Sequence, residues 1–312
     1  MPALIEILGS YVPEIVLHHL AADSTPIASP TAEKFPAAVL FADISGFTRL
    51  AEQLAQHGPA GAEELTRYLN AYFGQLIDLI TAHGGDVVKF AGDAVIAVWP
   101  VNDVVRQQTA DDLSLASETL RAAQCGLAAQ QAMTQFAAED VRLSMRMSIG
   151  AGELLVEQLG GVYGLWELLV AGTPLVQVGA AQQHAKPGEV ALALEAWGLI
   201  KARALGRTLE DGVVVLNGLI DLLPLRAFHH ATLSDEADAA LRAYIPASIL
   251  ARLAAGQTSW LAELRRVTTV FVNLPDLDHT TPLDLAQTAI RALQAALYRY
   301  EGSVNKISVD DK

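Results

Sequence analysis

The strongest constraint on this chain is that it resembles itself at the scale of a whole domain. YVPEIVLHHLAA at 11–22 matches YIPASILARLAA at 244–255. AAVLFADISGF at 37–47 matches TTVFVNLPDL at 268–277, which sets Phe41 opposite Phe271. HGGDVVKFAGD at 83–93 matches YEGSVNKISVD at 300–310, which sets Lys89 opposite Lys306. The separation shrinks along the chain from 233 to 230 to 217 residues, as it does when a second copy carries shorter loops. So long a period describes tandem duplication of a domain, not a solenoid. The 312 residues divide on this basis into a helical extension (1–35), a first copy (36–195), a connector (196–265) and the start of a second copy (266–312). The second copy reaches Lys312 within what matches the first hairpin of the first copy, so a fragment is expected.

Composition narrows the class. An apolar fraction of 52% against 18% charged residues supplies packed cores and excludes general disorder. The net charge of −14 repels phosphate backbones, so no nucleic-acid partner is expected. It does not exclude a nucleotide that arrives with a divalent cation. Cys125 is the single cysteine, which excludes an internal disulfide and any cysteine-based zinc site. In its Ala-rich helical setting it reads as an inert buried thiol. The most apolar stretch, 161–181, is interrupted by Glu167, Thr173, Pro174 and Gln177, so no membrane span is expected. The N-terminus carries Glu6 and no basic segment, so no signal peptide is expected, and the single thiol is compatible with a reducing cytoplasm, the expected location. The paired histidines, His18–His19 and His229–His230, read as surface residues, because neighbours point apart on a helix or strand.

The first copy alternates strand and helix patterns. Ala37–Asp43 is a buried strand, and Ser45 or Thr48 can cap a helix running to about His57. Residues 61–83 form a second helix, stopped by Gly84–Gly85. Val87–Phe90 and Val95–Trp99 flank AGDA as a hairpin. A helix over 111–138 follows, then strands Arg142–Ile149 and Leu154–Leu159 on either side of GAGE, and a strand at Leu165–Val170. Pro174 opens a helix to about Ala185, and KPGEVALA turns into a last strand. The order predicts an α+β fold with one sheet backed by helices.

Two carboxylates carry the chemistry. Asp43 closes an apolar strand and Asp93 sits at the hairpin tip. Burying either is costly unless it is paired or binds a metal. Singly, each also fits a plain turn residue. Brought to neighbouring strand ends, the two form a hard-oxygen site suited to Mg²⁺ and phosphates. Gly46 permits a tight turn into a helix start whose N–H groups face an anion.

FADISGFT followed by GGDVVKFAGDAVIAVW, with SMRMSIGAGELL and AKPGEV later, resembles the catalytic domain of class III adenylyl and guanylyl cyclases. The tandem copies and the YVP-type helix ahead of each are similar to the soluble, bicarbonate-regulated adenylyl cyclase group. The resemblance implies a ferredoxin-like domain with a mostly antiparallel sheet. It implies that Asp43 and Asp93, with the Ile44 carbonyl, hold two Mg²⁺ or Mn²⁺ ions. It implies that the Ser45, Gly46, Phe47 and Thr48 amides and Arg146 bind phosphates, and that ATP is cyclised to cAMP and pyrophosphate. Asn273 stands opposite Asp43, so the second copy reads as the complementary half of a pseudo-heterodimer, with Lys306 matching the purine-reading Lys. The family's Asn and Arg at the transition state fall beyond Lys312, so this chain alone is expected to be inactive or weak. In the bicarbonate-regulated relatives, a Lys at the position of Lys89 pairs with an Arg to hold the anion. Gly179 stands at that Arg position here, which leaves Lys89 a regulatory-anion candidate without its partner. A guanylyl cyclase, or a non-catalytic module that senses a nucleotide or anion, is the alternative.

Overall fold

The computed structural model describes residues 4–101, 114–133, 137–138, 141–209, 211–226, 230–256 and 268–309. Helices α1 (Leu4–Gly9) and α2 (Glu14–Ala22) precede β1 (Thr31–Ser45), α3 (Phe47–Ala55), α4 (Pro59–Ala82), β2 (Asp86–Ala91), β3 (Ala94–Pro100) and α5 (Leu115–Met133). A two-stranded pair, β4 (Ala137–Ala138) and β5 (Val141–Arg142), leads into β6 (Ser144–Val162), β7 (Leu165–Gly172), α6 (Thr173–Gln182) and β8 (Val190–Leu192). Then come α7 (Leu194–Ile200), β9 (Ala204–Thr208), β10 (Val214–Leu219), α8 (Asp238–Arg242), α9 (Ala247–Ala254) and α10 (Leu283–Tyr298).

The main sheet runs β2-β3-β1-β6-β8-β10-β9, with β7 added on β6. Every pairing is antiparallel except β6 with β8. Alternation along β1 explains the layers. Ala38, Leu40, Ala42 and Ile44 enter one core with Leu50, Tyr72, Leu76, Trp99, Leu120 and Met145. Ala37 and Val39 enter the other with Ile15, Val16, Val98, Val178 and Leu241. This is the expected α+β architecture, with helices on both faces. Cys125 lies inside the first core, where burial pushes its thiol up to about 12.

One strand differs from the sequence reading. The two strands expected around GAGE are one continuous strand, β6, paired with β1 from Ser45↔Ser144 to Thr31↔Gln158. The glycines there make room instead of turning the chain. A Cβ on Gly150 would lie 2.4 Å from the Pro174 carbonyl oxygen, and one on Gly152 would lie 2.8 Å from the Thr173 hydroxyl. The missing side chains therefore let α6 lie on β6.

The region after residue 196 joins this body. β10 pairs with β8, and β9 pairs with β10. The chain beyond is strapped to α5: Arg121 donates to the Pro224 carbonyl at 2.8 Å, and Gln124 exchanges two hydrogen bonds with Leu223. Residues 268–309 contain one helix, α10, and no strand. That helix ends as α4 does. Gly84 N–H donates to Thr81 and Gly85 N–H to Ile80; Glu301 N–H donates to Tyr298 and Gly302 N–H to Leu297. These are the two bonds of a Schellman ending, repeated 217 residues apart. Glu301 even keeps the left-handed conformation (φ +58°) of its counterpart Gly84 (φ +77°).

Asp86 ties α2 to the sheet. Its carboxylate accepts the N–H groups of Glu14 at 3.3 Å and Ile15 at 3.0 Å, and burial raises its pKa to about 6. The native state then holds a proton that the unfolded chain, near 3.8, releases. Stability should fall as pH rises from about 4 to 6. Asp86→Asn keeps an acceptor for Ile15 and removes the titration. Denaturant unfolding across that range should show a flatter pH dependence for the variant. An unchanged slope would show that other groups set it.

Candidate active site

Asp43 is placed by β1. It stands opposite Ala94 on β3 and opposite Arg146 on β6. Asp93 precedes Ala94 in the two-residue turn between β2 and β3. Gly92 takes φ +69° there and Asp93 does not, the pattern of a hairpin turn with glycine first. The Ile44 N–H donates to the Asp93 carbonyl at 3.3 Å, which fastens the turn to the end of β1. The two carboxylates are thus brought to one edge. Partial burial, and then the charge of Asp43, raise the pKa of Asp93, while Arg146 opposes the shift.

Arg146 pairs directly with the Asp43 carboxylate. Its Nε is buried and has no hydrogen-bond partner among the described residues. Gln182 of α6 reaches the Arg146 carbonyl at 3.4 Å from behind. Tyr72 of α4 lies close enough to Asp43 that its phenol pKa is raised, mainly by burial and then by that charge. Tyr72 and Gln182 were not singled out from the sequence. Tyr72 sits at apolar helical spacing and reads as core, and nothing local marks Gln182.

The turn after Asp43 is held by Gly46, in the left-handed conformation at φ +94°. This corrects the expected capping of α3 by Ser45 or Thr48: Gly46 is the residue ahead of the helix, and no side chain caps it. The first-turn N–H groups at Phe47 and Thr48 stay uncapped, Gly46 and Thr48 are exposed, and Ser45 and Phe47 are half-buried. Uncapped N–H groups at a helix start favour an anion.

The donor set fits a divalent cation. Two carboxylates whose charges oppose each other at one edge are relieved by positive charge, and hard oxygens suit Mg²⁺ or Mn²⁺. Among the described residues no group of three or more His, Cys, Asp or Glu forms a cage, so further ligands would be backbone, water or phosphate oxygens.

The other candidate residues lie elsewhere. Lys89, half-buried on β2, contributes favourable charge to Glu167 of β7. Lys306 is exposed, next to Ile307, which packs against the cluster that Leu155, Leu159, Leu169 and Ala171 form with Ala286 and Ile290 of α10. Leu155 lies nine residues along β6 from Arg146, so about 30 Å of extended strand separates it from the carboxylate edge. Asp310, opposite Asp93 in the repeat, lies outside the described residues. Of the histidines, His230 is exposed and bonded to Glu14, His18 is mostly covered, and His229 lies outside the described residues. Among the described residues no helix is long and apolar enough to cross a membrane.

The chain is 26% identical over 339 residues to "Adenylate cyclase type 10" of Oryctolagus cuniculus, covering 98% of this chain and 20% of that protein. It is 26% identical over 340 residues to the protein of the same name from Homo sapiens, with the same coverage. The chain therefore spans about a fifth of the length of these curated relatives. The solved adenylyl cyclase CyaB from P. aeruginosa shares the fold at a TM-score of 0.50 and 22% identity, covering 63% of this chain and all of that one. The family pattern "Adenylate and Guanylate cyclase catalytic domain" matches residues 31–196, the span from the start of β1 into α7. That match covers more than half of the chain, so the chain belongs to the adenylate and guanylate cyclase catalytic-domain family.

Proposed function

We propose that this chain is the catalytic region of an adenylyl cyclase, with its active site shared between the two copies. The observation that carries the reading is the coupled pair Asp43 and Asp93 beside the uncapped start of α3. Asp43 and Asp93 would hold two Mg²⁺ or Mn²⁺ ions, with the Ile44 carbonyl as a further ligand. When bound, the ions lower the pKa of the ATP 3′-hydroxyl and neutralise charge on the α-phosphate. The amides of Ser45, Gly46, Phe47 and Thr48 receive the β- and γ-phosphates, and Arg146 exchanges Asp43 for a phosphate oxygen. The 3′-oxygen forms a bond to the α-phosphorus, the bond to pyrophosphate breaks, and the hydroxyl proton passes to solvent water. Little covalent work falls to the protein; placement and charge carry the step. Lys306 stands away from the carboxylate edge in this chain, so reading of the adenine by Lys306 would require a different placement of residues 268–309. Bicarbonate binding at Lys89 would be the regulatory counterpart.

The test is product analysis on the chain carrying a complete second copy, with ATP or GTP and Mg²⁺ or Mn²⁺. Cyclic AMP is expected from ATP, with a smaller yield from GTP. Preferential cyclic GMP would make it a guanylyl cyclase. No product from either nucleotide with either metal would make it a sensing module.

A further inference from the structure

The stretch of β6 around Arg146 presents two faces. Met145 and Met147 enter the first core, as do Ile44 and Ala42 opposite them on β1. Strand alternation therefore turns Asp43 and Arg146 to the other face. Helix α6 lies on that face, where Val178 joins the second core. Two hydrogen bonds fix α6 on β6: Ser148 Oγ donates to the Val178 carbonyl at 2.9 Å, and the Ala151 N–H donates to Gln177 Oε1 at 2.8 Å. Gln182, the last residue of α6, is thereby held over the strand, and its Nε2 donates to the Arg146 carbonyl at 3.4 Å. A carbonyl only accepts, so the amide nitrogen must face it and Oε1 must face away. That Oε1 is buried and has no hydrogen-bond partner among the described residues. Arg146 Nε, also buried, is the matching case: a donor without a partner among the described residues. The guanidinium is engaged at its other end, where a terminal nitrogen donates to Asp43. Buried polar atoms left without partners are costly, and here an open acceptor and an open donor belong to residues already in contact.

We propose that Gln182 is a positioning residue that receives the Arg146 Nε–H when the guanidinium leaves Asp43, so that α6 sets how readily Asp43 becomes available to a divalent cation. While Arg146 sits on Asp43, one carboxylate oxygen is taken, and a cation and the guanidinium compete for it. Leaving costs the ion pair, and a bond from Nε to Gln182 Oε1 offsets part of that cost. Nε lies at the root of the planar guanidinium. Holding it fixes the plane while the terminal nitrogens turn from the carboxylate to a phosphate. The inference rests on the proposed metal role of Asp43 and adds a residue that acts only through Arg146, touching neither cation nor nucleotide.

Mn²⁺ binding by the full chain in the presence of ATP, followed by electron paramagnetic resonance, tests this without turnover. Gln182→Leu keeps the side-chain size and removes the acceptor, and should weaken Mn²⁺ binding at least about fivefold. Gln182→Glu keeps the acceptor and should bind Mn²⁺ within about twofold of the parent or more tightly. In an Arg146→Leu background, adding Gln182→Leu should change binding by less than about twofold, because no guanidinium remains to be received. Thermal unfolding of each variant reports whether the fold is intact. A purely structural Gln182 gives a different pattern, in which disturbed α6 packing weakens binding whether or not Arg146 is present. Binding within about twofold of the parent in Gln182→Leu would overturn the proposal. So would an equal loss in Gln182→Glu, or a loss that persists undiminished in the Arg146→Leu background. A parent that binds no Mn²⁺ with ATP would sink the metal reading and this inference together, so the parent tells the two failures apart.

Discussion

In the chain carrying a complete second copy, replacing Asp43 with Asn is expected to lower cyclic-nucleotide formation at least about a thousandfold, a barrier increase of about 4 kcal/mol. The residue sits where β1 meets both β3 and β6, and its charge is felt by Asp93 across the turn. Removing that charge takes away half of the hard-oxygen pair and leaves Arg146 facing the phosphates without its counter-ion. The fold should survive the change. The Arg146 side chain is 39% exposed and that of Asp43 17%, a partly buried pair, and Asn keeps an acceptor for the guanidinium. Thermal unfolding of the variant should stay cooperative, with stability lowered by about 1–3 kcal/mol, while turnover disappears. A variant that keeps more than a tenth of the parent activity would remove Asp43 from the chemistry.

Glu118→Ala should be the most damaging single change for stability outside the site, at about 3–5 kcal/mol. Glu118 on α5 is fully buried, with its two oxygens accepting from Arg226 at 3.1 and 2.6 Å. The Arg121 guanidinium lies 4.0 Å away. Truncating the carboxylate strands the mostly buried Arg226 guanidinium, while Arg121 keeps its bond to the Pro224 carbonyl. Arg226 also packs on Gly84, where a Cβ would come within 2.6 Å of its Nε, so the strap bears on the turn that launches β2. The double variant Glu118→Leu/Arg226→Met should recover much of the loss, because an apolar pair of similar volume replaces a buried ion pair at little cost. Chemical denaturation of both variants decides it. A loss below about 1 kcal/mol in Glu118→Ala would show that the pair is hydrated and dispensable.

Features that depend on local chemistry were legible in the sequence. An apolar run ending in Asp43, a Gly92–Asp93 turn between two strands, and Gly84–Gly85 after a helix are each decided within a few residues, and the structure holds them there. Features that depend on distant neighbours were not. Gly150 and Gly152 read as a turn, and only the approach of α6 explains why β6 runs straight through. Ser45 and Thr48 are good capping residues, yet the left-handed Gly46 leaves the start of α3 open. Tyr72 beside Asp43, the Arg226 strap and the glutamines of α10 all act across 29 residues or more of chain. The spacing of the matched segments does not say which face of α10 meets β6 and β7.

The central claim is that Asp43 and Asp93 together hold a divalent cation with a nucleotide's phosphates. Mn²⁺ titration of this chain with ATP, followed by electron paramagnetic resonance, tests it without depending on turnover. The parent should bind Mn²⁺ in the presence of ATP, and Asp43→Asn and Asp93→Asn should each weaken that binding at least about tenfold. Binding in both variants indistinguishable from the parent would contradict the claim.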